Sequence, residues 1–207
     1  MLTVHHLGLS QSERIVWLCE ELAIPYELKV YARDPKTRLA PADYKALHPM
    51  GTAPVITDGT LVLAESGAII EYILARYGKG QLTVAPDDAE FGAYLYWLHF
   101  ANGTLMPSEM LGMLKTEEPF VQVMRLRSDR GLAMMNQRLG QVPYLGGQAL
   151  TAADIMTVFV LTTMRAFNRR SLTPYPHILT YLARIGERPA YQRAMAKGDP
   201  TLKPMLA

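Results

Sequence analysis

Apolar residues at Ile15, Leu18, Cys19 and Leu22 recur at i, i+3, i+4 and i+7, the repeat of one helix face, and the run begins just after Ser10-Gln11-Ser12-Glu13. Before it, Leu2 to Leu7 is short, rich in β-preferring residues and closed by Gly8, which predicts a strand. After it, Pro25 ends the helix and Tyr26 to Ala32 alternates as a second strand. Strand, helix, strand predicts a βαβ unit with a parallel pair. Residues 33–49 are polar and proline-bearing, with a short helical patch over Pro41 to Leu47. Val55 to Thr57 and Leu61 to Ala64 flank Asp58-Gly59, a hairpin signal. Ser66 then opens a helix with Ile69, Ile70, Ile73 and Leu74 on one face, ending at Gly78.

From Gly78-Lys79-Gly80 to Asp88 the periodicity stops, and Pro86 lies within the gap. Beyond it the pattern is helical throughout. Phe91 to Leu114 reads as one long apolar helix, with Gly103 and Pro107 predicting a kink or break. Pro119 to Leu139, Thr151 to Phe167, Tyr175 to Gly186 and Pro189 to Lys197 supply four more. Thr151-x-x-Asp154 has the form of a capping box, with Leu150 and Ile155 placed as a hydrophobic staple. The expected organisation is an α/β domain over residues 1–78, a linker over 79–87 and an all-α bundle over 88–207.

Composition narrows the function classes. The 207 residues carry a formal net charge of +2, too little for the clustered basic excess of a nucleic-acid-binding surface. No apolar run approaches the ~18 residues of a membrane span, and the N-terminus lacks the basic flank and apolar stretch of a signal peptide. These features predict a cytoplasmic protein. Cys19 is the one cysteine, so there is no intramolecular disulfide and no CxxC motif, and its place on an apolar helix face predicts a buried small hydrophobe. His5-His6 has no second group of ligand residues, so no metal is expected.

Four segments together carry a resemblance. Ser10-Gln11-Ser12-Glu13-Arg14 with Leu18-Cys19-Glu20-Glu21-Leu22, His48-Pro49-Met50-Gly51-Thr52-Ala53-Pro54-Val55, Ala64-Glu65-Ser66-Gly67-Ala68-Ile69-Ile70 and Leu150-Thr151-Ala152-Ala153-Asp154 occur in this order over the full length. In that order they resemble the cytosolic glutathione transferase family, and Arg33-Asp34-Pro35 with Trp97-Leu98-His99-Phe100-Ala101 resembles its serine-type bacterial and fungal branch. The resemblance implies a thioredoxin-like glutathione-binding domain, an all-helical domain forming the electrophile pocket, and a homodimer active in detoxification. It implies reduced glutathione as co-substrate, a small apolar electrophile as partner and no permanently bound cofactor.

The chemistry required is thiol activation. A thiol near its reference pKa of about 8.5 is only a few per cent thiolate at neutral pH, and favouring the thiolate by two pKa units takes ~2.7 kcal/mol. A hydroxyl donor and the positive end of a helix supply that kind of stabilisation, and Ser10 stands where both act. The resemblance assigns the activating hydroxyl to Ser10; Ser12 is the alternative, its other reading being the helix N-cap, and loop amides are a third. It implies a cis peptide at Ala53-Pro54 whose exposed backbone pairs with the cysteinyl part of glutathione. Glu65 and Ser66 would take the γ-glutamyl end. Thr52 stands where many relatives have Lys, leaving the residue that meets the glycyl carboxylate open. Trp97, Phe100, Met106 and Met110 are candidates for the electrophile wall, with core packing as their other reading. A glutathione-dependent isomerase or peroxidase of the same fold, or a non-catalytic binding or regulatory module, are the alternatives.

Overall fold

The largely buried β1 (Leu2–Leu7) is the second strand of a four-stranded sheet of order β2-β1-β3-β4. The computed structural model describes residues 1–207. Strand β1 is followed by α1 (Glu13–Leu22), β2 (Glu27–Tyr31), α2 (Ala42–Lys45), β3 (Val55–Asp58), β4 (Leu61–Ala64) and α3 (Ser66–Tyr77). Strands β1 and β2 pair in parallel, whereas β3 runs antiparallel to both β1 and β4. This is a thioredoxin-like α/β domain. The period of two sends adjacent residues of β1 to opposite faces. His5 meets Tyr31 Oη at 2.9 Å and Thr57 Oγ1 at 3.2 Å on one face, while His6 points to the other, toward the residues before α1.

The helical unit is built from α4 (Phe91–Phe100), α5 (Met106–Gly112), α6 (Pro119–Leu139), α7 (Ala152–Leu161), α8 (Arg165–Asn168) and α9 (Pro176–Gly186). The break expected at Gly103 and Pro107 is a π-helical turn, Ala101–Leu105, between α4 and α5. Pro107 has no N–H for the carbonyl four residues back, and a widened turn takes up that mismatch. The single helix expected over Thr151 to Phe167 is two. Thr162 leaves helical backbone at φ −120° and ψ −88°, and its hydroxyl bonds the Val158 carbonyl at 2.8 Å, a local alternative to the helical ladder.

The last helix, α10 (Pro189–Gly198), lies in the other unit. The chain forms two compact units, Met1–Gln81 with Glu187–Lys203, and Leu82–Gly186 with Pro204–Ala207. Residues 187–203, which the sequence pattern assigned to the helical domain, therefore pack with the first unit. The reason lies on α1, where Glu13 through Glu20 are all buried, a helix covered on every side. Helix α10 supplies the outer cover with Ala190, Tyr191, Ala194 and Met195, and Trp17 and Tyr191 meet edge-on at 5.0 Å. Arg188 forks onto Glu21 at 2.7 and 2.8 Å, and Glu20 takes Arg193 and Lys197. No helix is long and apolar enough to cross a membrane.

Candidate functional site

The loop from β1 to α1 turns on Leu9, at φ +55°, and delivers two serines to the start of α1. Ser12 occupies the N-cap position, but its hydroxyl makes no capping bond. It turns inward instead, 2.9 Å from His6 Nδ1, and accepts the Leu7 N–H at 3.1 Å. Ser12 and His6 are both fully buried. Ser10 lies one step outward, 8% exposed, with its Oγ 2.8 Å from Ser12 Oγ and accepting the Ser12 N–H at 3.2 Å. At the inner end, His6 Nε2 is 3.1 Å from Asp199 Oδ2, and Asp199 Oδ1 accepts the Leu9 N–H at 3.0 Å. One continuous chain of polar contacts thus runs Ser10, Ser12, His6, Asp199.

A second group forms beside it. Arg14, the second residue of α1, donates to Gln11 Oε1 at 2.6 Å and to Ser66 Oγ at 3.2 Å, the latter at the first position of α3. Burial pushes the Arg14 guanidinium down to about 9, with Glu13 and Glu65 pulling the other way, so it keeps its charge at neutral pH. Glu65 is exposed, and its backbone sits at φ +75°, a conformation that costs a non-glycine residue about 1–3 kcal/mol and tends to cluster at ligand sites.

The sheet register explains why these pieces meet. His5 pairs with Val55, and Val55 with Ala64, so the carboxyl end of β1, the start of β3 and the end of β4 share one end of the sheet. Loop 8–12 leaves from that end, Ala53-Pro54 enters β3 there through a cis peptide, and Glu65-Ser66 leave β4 there. Thr52 is exposed, Ala53 half-buried and Pro54 buried at the same edge.

The four electrophile-wall candidates differ in burial. Trp97 and Phe100 are buried and pack edge-on at 5.2 Å, and Phe100 fills the space that Gly131 leaves open. Met106 is half-buried and Met110 is 56% exposed. Trp97, with Ala93, Tyr96 and Met134, borders a hollow of about 380 Å³ on the helical unit. A larger cavity of about 430 Å³ lies between Ser108, Glu109, Met113, Ser128 and Arg170, where Glu109 is bonded by Ser128 and by Asn168. Cys19 is fully buried, and burial, with Glu20 nearby, pushes its thiol well above the usual range.

Sequence reading missed His6, Asp199, Gln11 and Arg14 as members of the site. The signal for Gln11 and Arg14 was present in the spacing around Ser10, since i and i+3 on a helix start share a face. Asp199 lies 193 residues from His6, and nothing local to either announces the pair.

The comparisons with known proteins follow this division of the chain. Residues 10–76 match the family described as Glutathione S-transferase, N-terminal domain, and residues 95–189 match Glutathione S-transferase, C-terminal domain. The chain is 32% identical to Glutathione S-transferase 3 of Schizosaccharomyces pombe, over 95% of this chain and 88% of that protein. It is similar to a solved glutathione S-transferase from Actinobacillus pleuropneumoniae, at 37% identity and a TM-score of 0.87 over 96% of this chain and 93% of that one. A theta class glutathione S-transferase from Xanthomonas axonopodis pv. citri, solved with glutathione bound, is 27% identical with a TM-score of 0.71, over 93% of this chain and 96% of that one.

Proposed function

The chain belongs to the glutathione S-transferase family and is a transferase enzyme, and from that premise we propose that it activates the thiol of reduced glutathione through Ser10 for attack on a small apolar electrophile. The single observation that carries the assignment of the site is the convergence at one sheet end of Ser10, the Ala53-Pro54 edge and the Arg14-Ser66 pair beside Glu65.

Each part has a physical reason. Ser10 is the outermost hydroxyl of its chain; when its oxygen accepts both the Ser12 N–H and the Ser12 hydroxyl, its proton is free to stabilise a sulfur anion next to the start of α1. Ser12 is fully buried and bonded to His6 and Leu7, so it serves Ser10 rather than the ligand. The N-terminus of α3, with the Ser66 hydroxyl held by the Arg14 cation, suits the α-carboxylate of the γ-glutamyl group, and exposed Glu65 suits its ammonium. The backbone of Ala53 would pair with the cysteinyl part in the manner of an added strand. Thr52 is available at the same edge for the glycyl end.

The reaction is displacement or addition at an electrophilic carbon by the thiolate. Cys19 is excluded as the nucleophile by its burial and raised thiol pKa. Detoxification, homodimer formation and a cytoplasmic location accompany this reading as proposals. Calorimetric titration with reduced glutathione against cysteinylglycine tests it. Saturable binding of glutathione, lost with the dipeptide, is expected; no saturable binding of glutathione would overturn the reading.

A further inference from the structure

The chain Ser10, Ser12, His6, Asp199 runs equally well in two directions. With the imidazole neutral and Nε2–H donated to Asp199 Oδ2, Nδ1 is an acceptor. The Ser12 hydroxyl then donates to Nδ1 at 2.9 Å, nearer than its other acceptor, the Leu7 carbonyl at 3.3 Å, and the Ser12 oxygen accepts the Leu7 N–H and the Ser10 hydroxyl. Ser10 Oγ, which also accepts the Ser12 N–H, keeps one lone pair for an outside donor. With the imidazole doubly protonated the order reverses. Nδ1–H donates to Ser12, Ser12 donates to Ser10, and Ser10 keeps its proton for an outside acceptor. The first arrangement fits a thiol and the second a thiolate, with every inner group satisfied in both.

Resting on the reading of Ser10 given above, we propose that His6 receives the thiol proton of glutathione through the Ser10 and Ser12 hydroxyls, with Asp199 as counter-ion. The S–H bond breaks and its electron pair stays on sulfur. Ser10 Oγ takes that proton and passes its own to Ser12 Oγ, which passes its own to His6 Nδ1. Thiol and neutral imidazole become thiolate and imidazolium. After the thiolate is consumed, the proton returns outward along the same hydroxyls, to the adduct's carbanion in an addition or to solvent in a displacement.

Several details fit a relay. Ser12 and His6 are fully buried, which keeps water from shorting the chain. Asp199 is aimed by its second oxygen on the Leu9 N–H. Close approach depends on two glycines: a Cβ on Gly198 would stand 3.0 Å from His6 Nε2, and one on Gly8 would stand 3.1 Å from Asp199 Oδ1. Asp199, which follows α10, pairs with the imidazole, and Arg33, which follows β2, neighbours Asp199 and donates to the Gly8 and Leu9 carbonyls. The neighbouring His5 faces the opposite side of the sheet.

The test follows thiolate ultraviolet absorbance of bound glutathione against pH in wild type, Asp199→Asn and His6→Asn, with melting and affinity for S-methylglutathione measured alongside. Asn at 6 can hold a hydrogen bond near the Nδ1 position but takes no proton. A parallel nitrogen-15 NMR measurement reads the His6 imidazole in wild type with glutathione and with S-methylglutathione, assigned by the signal missing in His6→Asn. The proposal expects His6 to become imidazolium with glutathione only. It also expects the thiolate midpoint to rise by about one pH unit or more in both variants, so that thiolate drops on the order of tenfold below the midpoint. An unchanged imidazole would overturn it, as would thiolate titrations like wild type in variants that bind S-methylglutathione normally, since a purely structural pin would move only the melting. Should His6→Asn fail to fold, Asp199→Asn and the difference that the thiol makes to the wild-type histidine spectrum decide the matter. Wild type that fails to bind glutathione at all would overturn the reading of the site itself, a result distinct from these.

Discussion

Replacing Asp154 tests how the helical unit holds the start of α7. Its carboxylate is fully buried and ringed by donors. Oδ1 accepts the Leu145 N–H at 2.9 Å and the Tyr181 hydroxyl at 3.0 Å. Oδ2 accepts the Thr151 N–H at 2.8 Å and the Thr151 hydroxyl at 3.1 Å. Burial holds the acid above its ordinary range although these bonds oppose it, and only the ionised form offers an acceptor to all four donors. In Asp154→Asn the amide nitrogen must face either Leu145 or Thr151, and neither backbone N–H can turn away. One buried N–H is orphaned, at about 1–3 kcal/mol. In Asp154→Ala both are orphaned, so the cost is about 2–6 kcal/mol. Thr151→Ala loses one hydroxyl and keeps the backbone bond, at about 1 kcal/mol. At this chain length each kcal/mol is worth about 2–4 °C, which puts the alanine variant at 154 on the order of 10 °C below wild type. Urea unfolding followed by circular dichroism should rank the losses Asp154→Ala, then Asp154→Asn, then Thr151→Ala. A Thr151→Ala variant as damaged as Asp154→Ala would refute the reasoning and return the main role to the threonine cap.

Two further outcomes follow from the first unit. Burial raises the Glu20 carboxyl, but hydrogen bonds from Lys197, Tyr26 and Arg193 outweigh it, and the net shift is below the ordinary range. The stability this contributes is present above the unfolded carboxylate pKa of about 4.3 and is lost as pH falls through the lower folded value. Glu20→Gln should therefore flatten the acid limb of a melting-temperature profile, and an unchanged limb would contradict the assignment. Cys19 should resist a thiol-specific disulfide reagent in the native protein and react fully on denaturation; fast native labelling would contradict its burial.

Much of the fold could be read locally. The hydrophobic repeat and the flanking Pro and Gly mark α6 (Pro119–Leu139), α3 and the β3–β4 hairpin, because each depends on residues within a few positions. The interruption near Gly103 and Pro107 was legible but not its π-helical form, and the break at Thr162 was not legible, since helix-compatible residues continue through it and the departure is a matter of carbonyl geometry. The return of α10 to α1 was partly legible: Ile15 to Cys19 is apolar around the whole helix, which asks for cover on two sides, but not from which segment. In the site, Ser10, Ala53-Pro54 and Glu65-Ser66 stood out by local motif. The inward turn of Ser12 and the His6–Asp199 pair did not, because a strand residue's partner across the fold is set by packing that no local spacing encodes.

The most direct test of the central claim is calorimetric binding of reduced glutathione to wild type and Ser10→Ala, with thiolate absorbance read on the same complexes. The account predicts saturable binding in both and thiolate in wild type alone. Equal thiolate in the two proteins would contradict the role of Ser10, and no binding to wild type would contradict the site.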